Sequence, residues 1–243
     1  MNTIELLLSH RSIRKFTDQD ISPSLLETIL RAGQSAASSS FVQAYSVIRI
    51  TDKELRADLA QLCGPQPYVE TCAEFLVCCA DLARNKQMCD DGDSSTEPNY
   101  MEQCIVATVD TALMAQNMVV AAEASGLGIC YIGGIRNHIQ EVSERLGLPD
   151  YVYPVFGLCL GYPAQNPEPK PRLPASIWVM ENSYRPSTKE DIADYDATIS
   201  RYYAARTSNK KQSSWTEELK GDFTKKVRPH MLSFLQSKGF AKR

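Results

Sequence analysis

The sequence lacks the residue patterns of several common protein classes. Its eight cysteines include no C-x-x-C pair, which argues against a zinc ribbon or a thioredoxin-type redox centre. It contains neither a G-x-G-x-x-G with an acidic partner nor a G-x-x-x-x-G-K-[ST], so it carries neither the dinucleotide-binding fingerprint nor a P-loop. The three histidines leave little for metal or general-base chemistry, and we expect no metal site.

The chain has no marked excess of charge, and its first residues give no reason to expect a targeting signal. Its formal net charge of −3 gives no reason to expect nucleic acid or an anionic membrane as a partner. The start, MNTIELLLSHR, has no basic region and only a three-leucine core, so we do not expect a signal peptide. Most cysteines lie in apolar runs such as FLVCCAD, as free core cysteines do. A reduced, cytoplasmic setting is therefore expected.

Strands and helices alternate along most of the chain. Ser22 and Pro23 mark the start of a helix over 21–34. The continuous apolar run at 73–81 predicts a strand covered on both faces. Further helices are predicted over 3–10, 52–64 and 137–149, and further strands over 44–51, 127–132 and 153–163.

Residues 100–126 form the longest helical pattern and are apolar nearly all round. Glu102, Asp110 and Glu123 interrupt the pattern, so we expect no membrane span. A helix of this kind must be buried, either at the centre of a domain or at a subunit interface.

Two polar segments complete the chain. The acidic loop at 89–99 holds Asp91 and Asp93 at a spacing that hints at calcium, but it lacks the length and later glutamate of an EF-hand, so a solvated insertion is expected. The tail is polar and helical, with the basic loop RTSNKKQSS inside it. We predict a single α+β domain over 1–243, with an arm from about 175 that packs on a partner.

Four polar clusters are candidates for a binding site: HRSIR at 10–14, SSSF at 38–41, YIGG at 131–134 and KPR at 170–172. Each alone has an ordinary alternative, namely a surface salt-bridge set, a solvated serine loop, a turn, and a soluble proline-rich loop. Together they suit a phosphorylated ligand with a flat ring. Arginine and lysine bind phosphate, serine hydroxyls bind a polyol, and paired glycines let backbone N–H groups approach a ring.

The sequence resembles the FMN-dependent nitroreductase family, in the branch of the major (type I) oxygen-insensitive NADPH nitroreductases and the NADPH-flavin oxidoreductases. The resemblance extends from residue 3 to the end. It is carried by ELLLSHRSIRKFTDQDIS, ASSSFVQAYSVIRITD, GLGICYIGGIRN, PVFGLCLGYPAQNPEPKPRLP and YYAARTSNKK. It implies an α+β fold with a mostly antiparallel central sheet flanked by helices, in an intertwined homodimer that binds FMN at the interface.

The resemblance also implies roles for individual residues. Arg14 matches the position at the N1/O2 edge of the flavin ring, where a cation stabilises the negative charge of the reduced ring. The remaining positions that it assigns to FMN are His10, Arg11, Ser12, Ile13, Ser38, Ser39, Ser40, Gln66, Tyr131, Ile132, Gly133, Gly134, Lys170, Pro171 and Arg172.

NADPH and the electron acceptor have their own implied positions. Arg206 matches the family arginine for the 2′-phosphate of NADPH, with Arg136 as a helper. Lys211 stands where the family pattern has another arginine, which keeps the charge but loses bidentate geometry. On the acceptor side the resemblance places Ser40, Phe41, Glu102 and Arg228.

The implied reaction is two-electron, ping-pong reduction of nitroaromatics and quinones by NADPH, with hydride transfer through flavin N5. Two alternatives stay open. A flavin reductase would take free FMN as its acceptor and release it reduced. A non-enzymatic FMN carrier or redox sensor would not require the cationic loop RTSNKK.

Overall fold

The chain divides into two compact units. The structure, a computed structural model, describes residues 2–90, 97–207, 209–225 and 227–243. Unit 1 comprises Met1–Asn166 and Arg228–Arg243, and unit 2 comprises Pro167–Val227. Residues 91–96 of the acidic loop, including Asp91 and Asp93, lie outside the described residues.

Unit 1 is built on a four-stranded sheet whose paired strands are all antiparallel, which confirms the predicted sheet. The strand order is β1-β2-β4-β3, so β2 and β4 are central and β3 lies at one end. Every residue of β2 is buried, as its continuous apolar sequence predicts. The strands are β1 (Tyr45–Arg49), β2 (Glu74–Asp81), β3 (Gly128–Ile132) and β4 (Val152–Gly161).

Helices cover both faces of the sheet. Asn2, Ser22 and Asp52 cap the first three predicted helices through side-chain acceptors. Short 3₁₀ turns occupy Ser39–Phe41 and Gly133–Arg136. The helices of unit 1 are α1 (Thr3–Leu8), α2 (Pro23–Gln34), α3 (Lys53–Leu62), α4 (Pro67–Thr71), α5 (Ala83–Cys89), α6 (Met101–Ala124), α7 (Ile139–Arg145) and α11 (Met231–Ser237), and those of unit 2 are α8 (Ala175–Trp178), α9 (Lys189–Ala205) and α10 (Trp215–Phe223).

The side chains of β2 alternate between two apolar layers, as the period of a strand requires. Phe75, Val77 and Cys79 pack with side chains of α3, α4 and α7. Leu76 and Cys78 pack on the other face, with side chains of α2 and α6. A continuous apolar strand is thus buried from both sides.

Helix α6 is the central helix that its sequence predicts. It packs against α2 and the sheet, and nine of its residues are buried. By length and composition alone it could cross a membrane, although its acidic residues led us to expect no membrane span. One such helix is weak evidence for a membrane span, since core helices pass the same test.

The cysteines are core residues, as their apolar surroundings predict. All eight are free, and all except Cys89 are buried. Burial raises the pKa of the Cys63 and Cys78 thiols to about 12, so both stay protonated near neutral pH.

Unit 2 has a small core of its own. Tyr195, Ile199 and Tyr203 on α9 are buried together, and Trp215 at the start of α10 packs against them. The end of the chain returns to unit 1, where Phe234 is buried. That the arm from about residue 175 packs on a partner subunit stays a prediction.

The packing of β4 against β2 predicts the effect of one methyl group. A Cβ at Gly157 would lie 2.6 Å from Cε2 of the fully buried Phe75. We therefore expect Gly157→Ala to lower the free energy of unfolding by about 1–3 kcal/mol, measured by urea denaturation. Gly221→Ala is the control: it has open space inside α10 and should be neutral or stabilising. Wild-type stability of Gly157→Ala would contradict the close packing.

Candidate functional site

The polar run at 10–14 lies along the outer edge of β3. The Ile13 amide donates to the Ile129 carbonyl at 2.8 Å, and the Ile13 side chain is buried. A Cβ at Gly128 would lie 2.6 Å from Ile13 Cγ1, so this glycine lets the run approach the strand. The backbone of the run is thereby fixed by the sheet.

Arg14 lies beside a hydrogen-bonded pair, Tyr68 and Gln66. It is an exposed side chain, close enough to Tyr68 and Cys130 for its charge to act on both groups. Tyr68 donates to Gln66 Oε1 at 2.6 Å, and Gln66 Nε2 donates to the Cys63 carbonyl at 2.8 Å. Burial raises the pKa of Tyr68, although Arg14 opposes the shift, so the hydroxyl stays a donor. Two predicted ligand residues, Arg14 and Gln66, are thus brought together.

The turn after β3 closes on the same cluster. A Cβ at Gly134 would overlap the Cys63 carbonyl oxygen and lie 2.6 Å from Gln66 Nε2. A Cβ at Gly133 would be 3.6 Å from Arg136 Nη2. Glycine at 134 is therefore required by the close approach of the turn to the end of α3.

Tyr131 and Ile132 direct their side chains into packing. The Tyr131 ring meets Phe156 edge-on at 4.9 Å, and its hydroxyl donates to Gln116 Oε1 at 3.2 Å. Ile132 is buried. These contacts leave the backbone of the segment as the part that can meet a ligand.

His10 and Arg11 lie by a cleft. His10 Nδ1 is 2.7 Å from Glu123 Oε1, and Arg11 Nη1 donates to the Ser9 carbonyl at 3.2 Å. Arg11, Ile13 and Glu123 line the cleft, which has a volume of about 510 Å³. Ser12 is half-buried.

The serine cluster forms a 3₁₀ turn held by α6. Ser38 Oγ and the Ser39 amide donate to Asp110 at 2.8 and 3.0 Å. Ser40 and Phe41 have left-handed backbone conformations, with φ of 47° and 59°. Phe41 is 80% exposed, so the turn presents an apolar ring to its surroundings.

Arg136 and Arg228 form a pair of like charges. Arg136 Nη1 donates to the carbonyl of Val155, at an irregularity in the β2–β4 register. Arg228 Nε donates to Asn137 Oδ1 at 3.0 Å. Burial, and then the charge of Arg228, lowers the pKa of Arg136. Glu102 is exposed in the first turn of α6, where a carboxylate complements the helix dipole.

In unit 2, two predicted anion-binding lysines meet on one tyrosine. Lys170 Nζ donates to the Tyr203 hydroxyl at 2.8 Å. Lys211 Nζ lies 4.3 Å from the centre of the same ring. Lys211 also donates to Glu218, and this bond raises the lysine pKa. The structure thus joins one residue predicted for FMN to one predicted for NADPH.

The other basic residues of unit 2 lie on neighbouring tyrosines. The Pro171 carbonyl accepts from the Tyr195 hydroxyl at 3.0 Å, and the charge of Arg172 acts on the same tyrosine. The Arg206 guanidinium lies 5.9 Å from the centre of the Tyr202 ring.

Sequence reasoning missed four residues that organise these clusters: Tyr68, Glu123, Tyr203 and, as a turn-holding residue, Asp110. Asp110 carried a signal, because a lone acid inside an apolar helix needs buried donors. The tyrosines carried none. Among the residues that the structure describes, no group of three or more His, Cys, Asp or Glu side chains is arranged to hold a metal ion.

Two family models match the chain. The first, described as the nitroreductase family, matches residues 7–162. The second, described as the nitroreductase family, C-terminal domain, matches residues 170–243. The two matches together span the candidate residues of both units.

Individual relatives match over the full length. The chain is 49% identical to an NADPH-flavin oxidoreductase of Vibrio harveyi, covering 100% of this chain and 99% of the relative. It is 47% identical to an oxygen-insensitive NADPH nitroreductase of Salmonella typhimurium, covering 99% of each. The solved structure of a Vibrio harveyi NADPH:FMN oxidoreductase complexed with NAD+ is 46% identical, with a TM-score of 0.91 over 99% of both chains.

Proposed function

The chain belongs to the nitroreductase family, and we propose that it is an NADPH-dependent, FMN-containing oxidoreductase that reduces nitroaromatics and quinones in two-electron steps. The observation that carries the proposal is the cluster of Arg14, Tyr68 and Gln66 at the glycine turn after β3. The cluster supplies hydrogen-bond donors next to Gly133 and Gly134, which have no side chain to keep a ligand from the backbone. Full-length relatives with NADPH and flavin in their names support it.

The donor set fits FMN, which presents a flat polar-edged ring, a polyol and a dianionic phosphate. Arg14 and Gln66 supply donors for the ring edge, and Gly133 leaves its own face open. Serine hydroxyls suit the polyol, and guanidinium and ammonium groups suit the phosphate. The residues that would hold FMN are His10, Arg11, Ser12, Ile13, Arg14, Ser38, Ser39, Ser40, Gln66, Tyr131, Ile132, Gly133, Gly134, Lys170, Pro171 and Arg172.

FMN, when bound, would supply the two-electron redox chemistry that links NADPH to the acceptor. The protein's part is electrostatic. The Arg14 guanidinium beside Tyr68 would place a positive charge where negative charge develops on the reduced ring. The hydrogen bonds of Tyr68 and Gln66 hold these two side chains in place before the reaction, so that they need not reorganise during it.

NADPH selection is assigned to unit 2. Arg206 and Lys211 would bind the 2′-phosphate, with Arg206 offering a planar fork and Lys211 a point charge. Arg136 already donates to Val155, so its predicted help is weaker than that of the other two. Since Lys211 keeps the charge of the family arginine, a preference for NADPH over NADH is expected to persist.

The acceptor side is assigned to Ser40, Phe41, Glu102 and Arg228. The exposed Phe41 ring suits a flat aromatic acceptor, and Arg228 suits its polar substituents. A second function is favoured by the 49% relative named NADPH-flavin oxidoreductase: reduction of free FMN. The ratio of kcat/KM for free FMN and for a nitroarene distinguishes the two.

We assign the working form to a cytoplasmic homodimer. Met101, Ile105, Val109 and Leu113 recur every four residues along α6, and each is more than 40% exposed. An exposed apolar stripe of this kind marks a surface that another protein surface covers. A second copy of the chain would provide that covering surface and would bring the arm of unit 2 to its partner.

The first prediction of this proposal is spectroscopic. Purified protein should show the visible flavin bands, which should bleach on anaerobic addition of NADPH and return when a nitroarene is added. Bleaching without return would point to the wrong acceptor. A colourless protein that takes up no added FMN would refute the assignment of both HRSIR and KPR.

Arg206 separates an enzyme from an FMN carrier. Arg206→Ala should lower kcat/KM for NADPH about tenfold or more, the scale of one charged hydrogen bond, and leave FMN bound and NADH turnover nearly unchanged. Arg201→Ala is the control, because Arg201 is an exposed arginine on α9, the helix that ends just before Arg206, and it donates to Thr198. Equal losses with both nucleotides would contradict the phosphate role.

The dimer is tested on the exposed stripe of α6. Light scattering should give twice the chain mass of 27.1 kDa for the wild type. Ile105→Asp should shift the mass toward the monomer, because it places a charge in an apolar interface. Met88→Asp, at an exposed apolar position on α5, should stay dimeric. A dimeric Ile105→Asp protein would place the interface elsewhere.

A further inference from the structure

Asp110 is a buried carboxylate whose hydrogen bonds converge on one short segment. Its oxygens accept from Ser38 Oγ at 2.8 Å, from the Ser39 amide at 3.0 Å and from the Ala44 amide at 3.2 Å. Its side chain lies in the middle of α6, and the residue is 1% exposed. The ion pairs among the described residues do not include it. Among the described residues, the donors that compensate this buried carboxylate all belong to the segment from Ser38 to Ala44.

The segment that Asp110 holds is strained. Ser40, Phe41 and Gln43 have φ of 47°, 59° and 53°, in a region that non-glycine residues rarely adopt. The Gln43 amide donates to Ser38 Oγ at 2.7 Å, so the hydroxyl that binds Asp110 also fixes the third strained residue. Such strain persists only where the surrounding structure determines the conformation. The hydrogen bonds of Asp110 hold the backbone of the turn at both of its ends.

Burial of the left-handed residues does not explain the strain. Phe41 is 80% exposed and Ser40 is exposed, whereas it is the neighbours Val42 and Ala44 that pack into the core, so the left-handed residues bury no apolar side chain. The left-handed conformations instead hold the Ser40 hydroxyl and the Phe41 ring outward on a fixed backbone. Strain of this kind marks positions where geometry matters more than stability.

We propose that Asp110 is a positioning residue for acceptor reduction, which holds the turn of residues 38–43 so that Ser40 and Phe41 meet the acceptor. The inference rests on the proposed function, because that function assigns Ser40 and Phe41 to the acceptor side. Asp110 is 1% exposed, so its side chain is closed off from direct contact with a ligand. It acts through the turn.

The test is Asp110→Asn in the FMN-loaded enzyme. Asparagine keeps the shape but has one acceptor oxygen in place of two, so at least one bond to the turn is lost. The KM for a nitroarene should rise about tenfold or more, the effect of one charged hydrogen bond. With FMN kept saturating, because Ser38–Ser40 are also assigned to FMN, the anaerobic rate of flavin bleaching by NADPH should stay within about threefold of wild type. Amide exchange of residues 39–44 should become faster.

Gln43→Gly supplies the matched variant. Glycine adopts a φ of 53° without strain, and Gln43 has no assigned role in binding. Alone, it should leave the acceptor KM within about twofold of wild type. Combined with Asp110→Asn, it should recover part of the lost affinity and slow the amide exchange, because less strain then needs to be held.

Two results would overturn the proposal: a fall in kcat with unchanged KM that tracks the folded fraction, or no recovery on adding Gln43→Gly. If Asp110→Asn does not fold, Ser38→Ala replaces it, assayed with FMN saturating because Ser38 is also assigned to FMN, and should raise the same KM by a smaller factor; an unchanged KM would again overturn the role. Failure of the proposed function is separate, because it appears in the wild type as missing flavin bands or no bleaching by NADPH. The exchange measurement would still report whether Asp110 holds the turn.

Discussion

The hydrogen bond between the Ile13 amide and the Ile129 carbonyl fixes the position of the polar N-terminal run on the sheet. Because β3 is an end strand, its outer edge is free to take that bond. The bond positions the run so that Arg14 lies near the Tyr68 hydroxyl and His10 lies near Glu123. It is possible only because Gly128 has no side chain where Ile13 packs. A backbone contact at a sheet edge therefore sets the geometry of the candidate ring-binding donors.

Local sequence patterns predicted most of this fold. The apolar run of β2, the caps at Ser22 and Asp52 and the apolar length of α6 each express a physical rule that acts within one segment. The strand order could not be read in this way, because it depends on which faces meet after folding. The short helices α4 and α5 were missed for a similar reason: too short to stand alone, they are formed by packing.

The candidate site was predicted in part, and the omissions share a cause. Arg14 and Gln66 came from matched motifs, whereas the link between them is Tyr68, an ordinary aromatic residue in the sequence. Tyr203 likewise shows its role only once Lys170 and Lys211 reach it from distant positions. Hydrogen-bonded networks are properties of side chains brought together by the fold. Motifs mark the charged ends of such networks and leave out the neutral residues between them.

Those neutral residues decide how the charges of unit 2 behave. Lys170 and Lys211 place two ammonium groups on Tyr203, and Glu218 and the Tyr203 ring stabilise the charge of Lys211, which raises the pKa of that lysine. The arrangement offers two cationic donors to an anion such as a phosphate. It also makes a lysine at 211 workable in place of an arginine. The Tyr203 ring fixes the position of the Lys211 ammonium group. Lysine still lacks the two parallel donors with which an arginine binds phosphate.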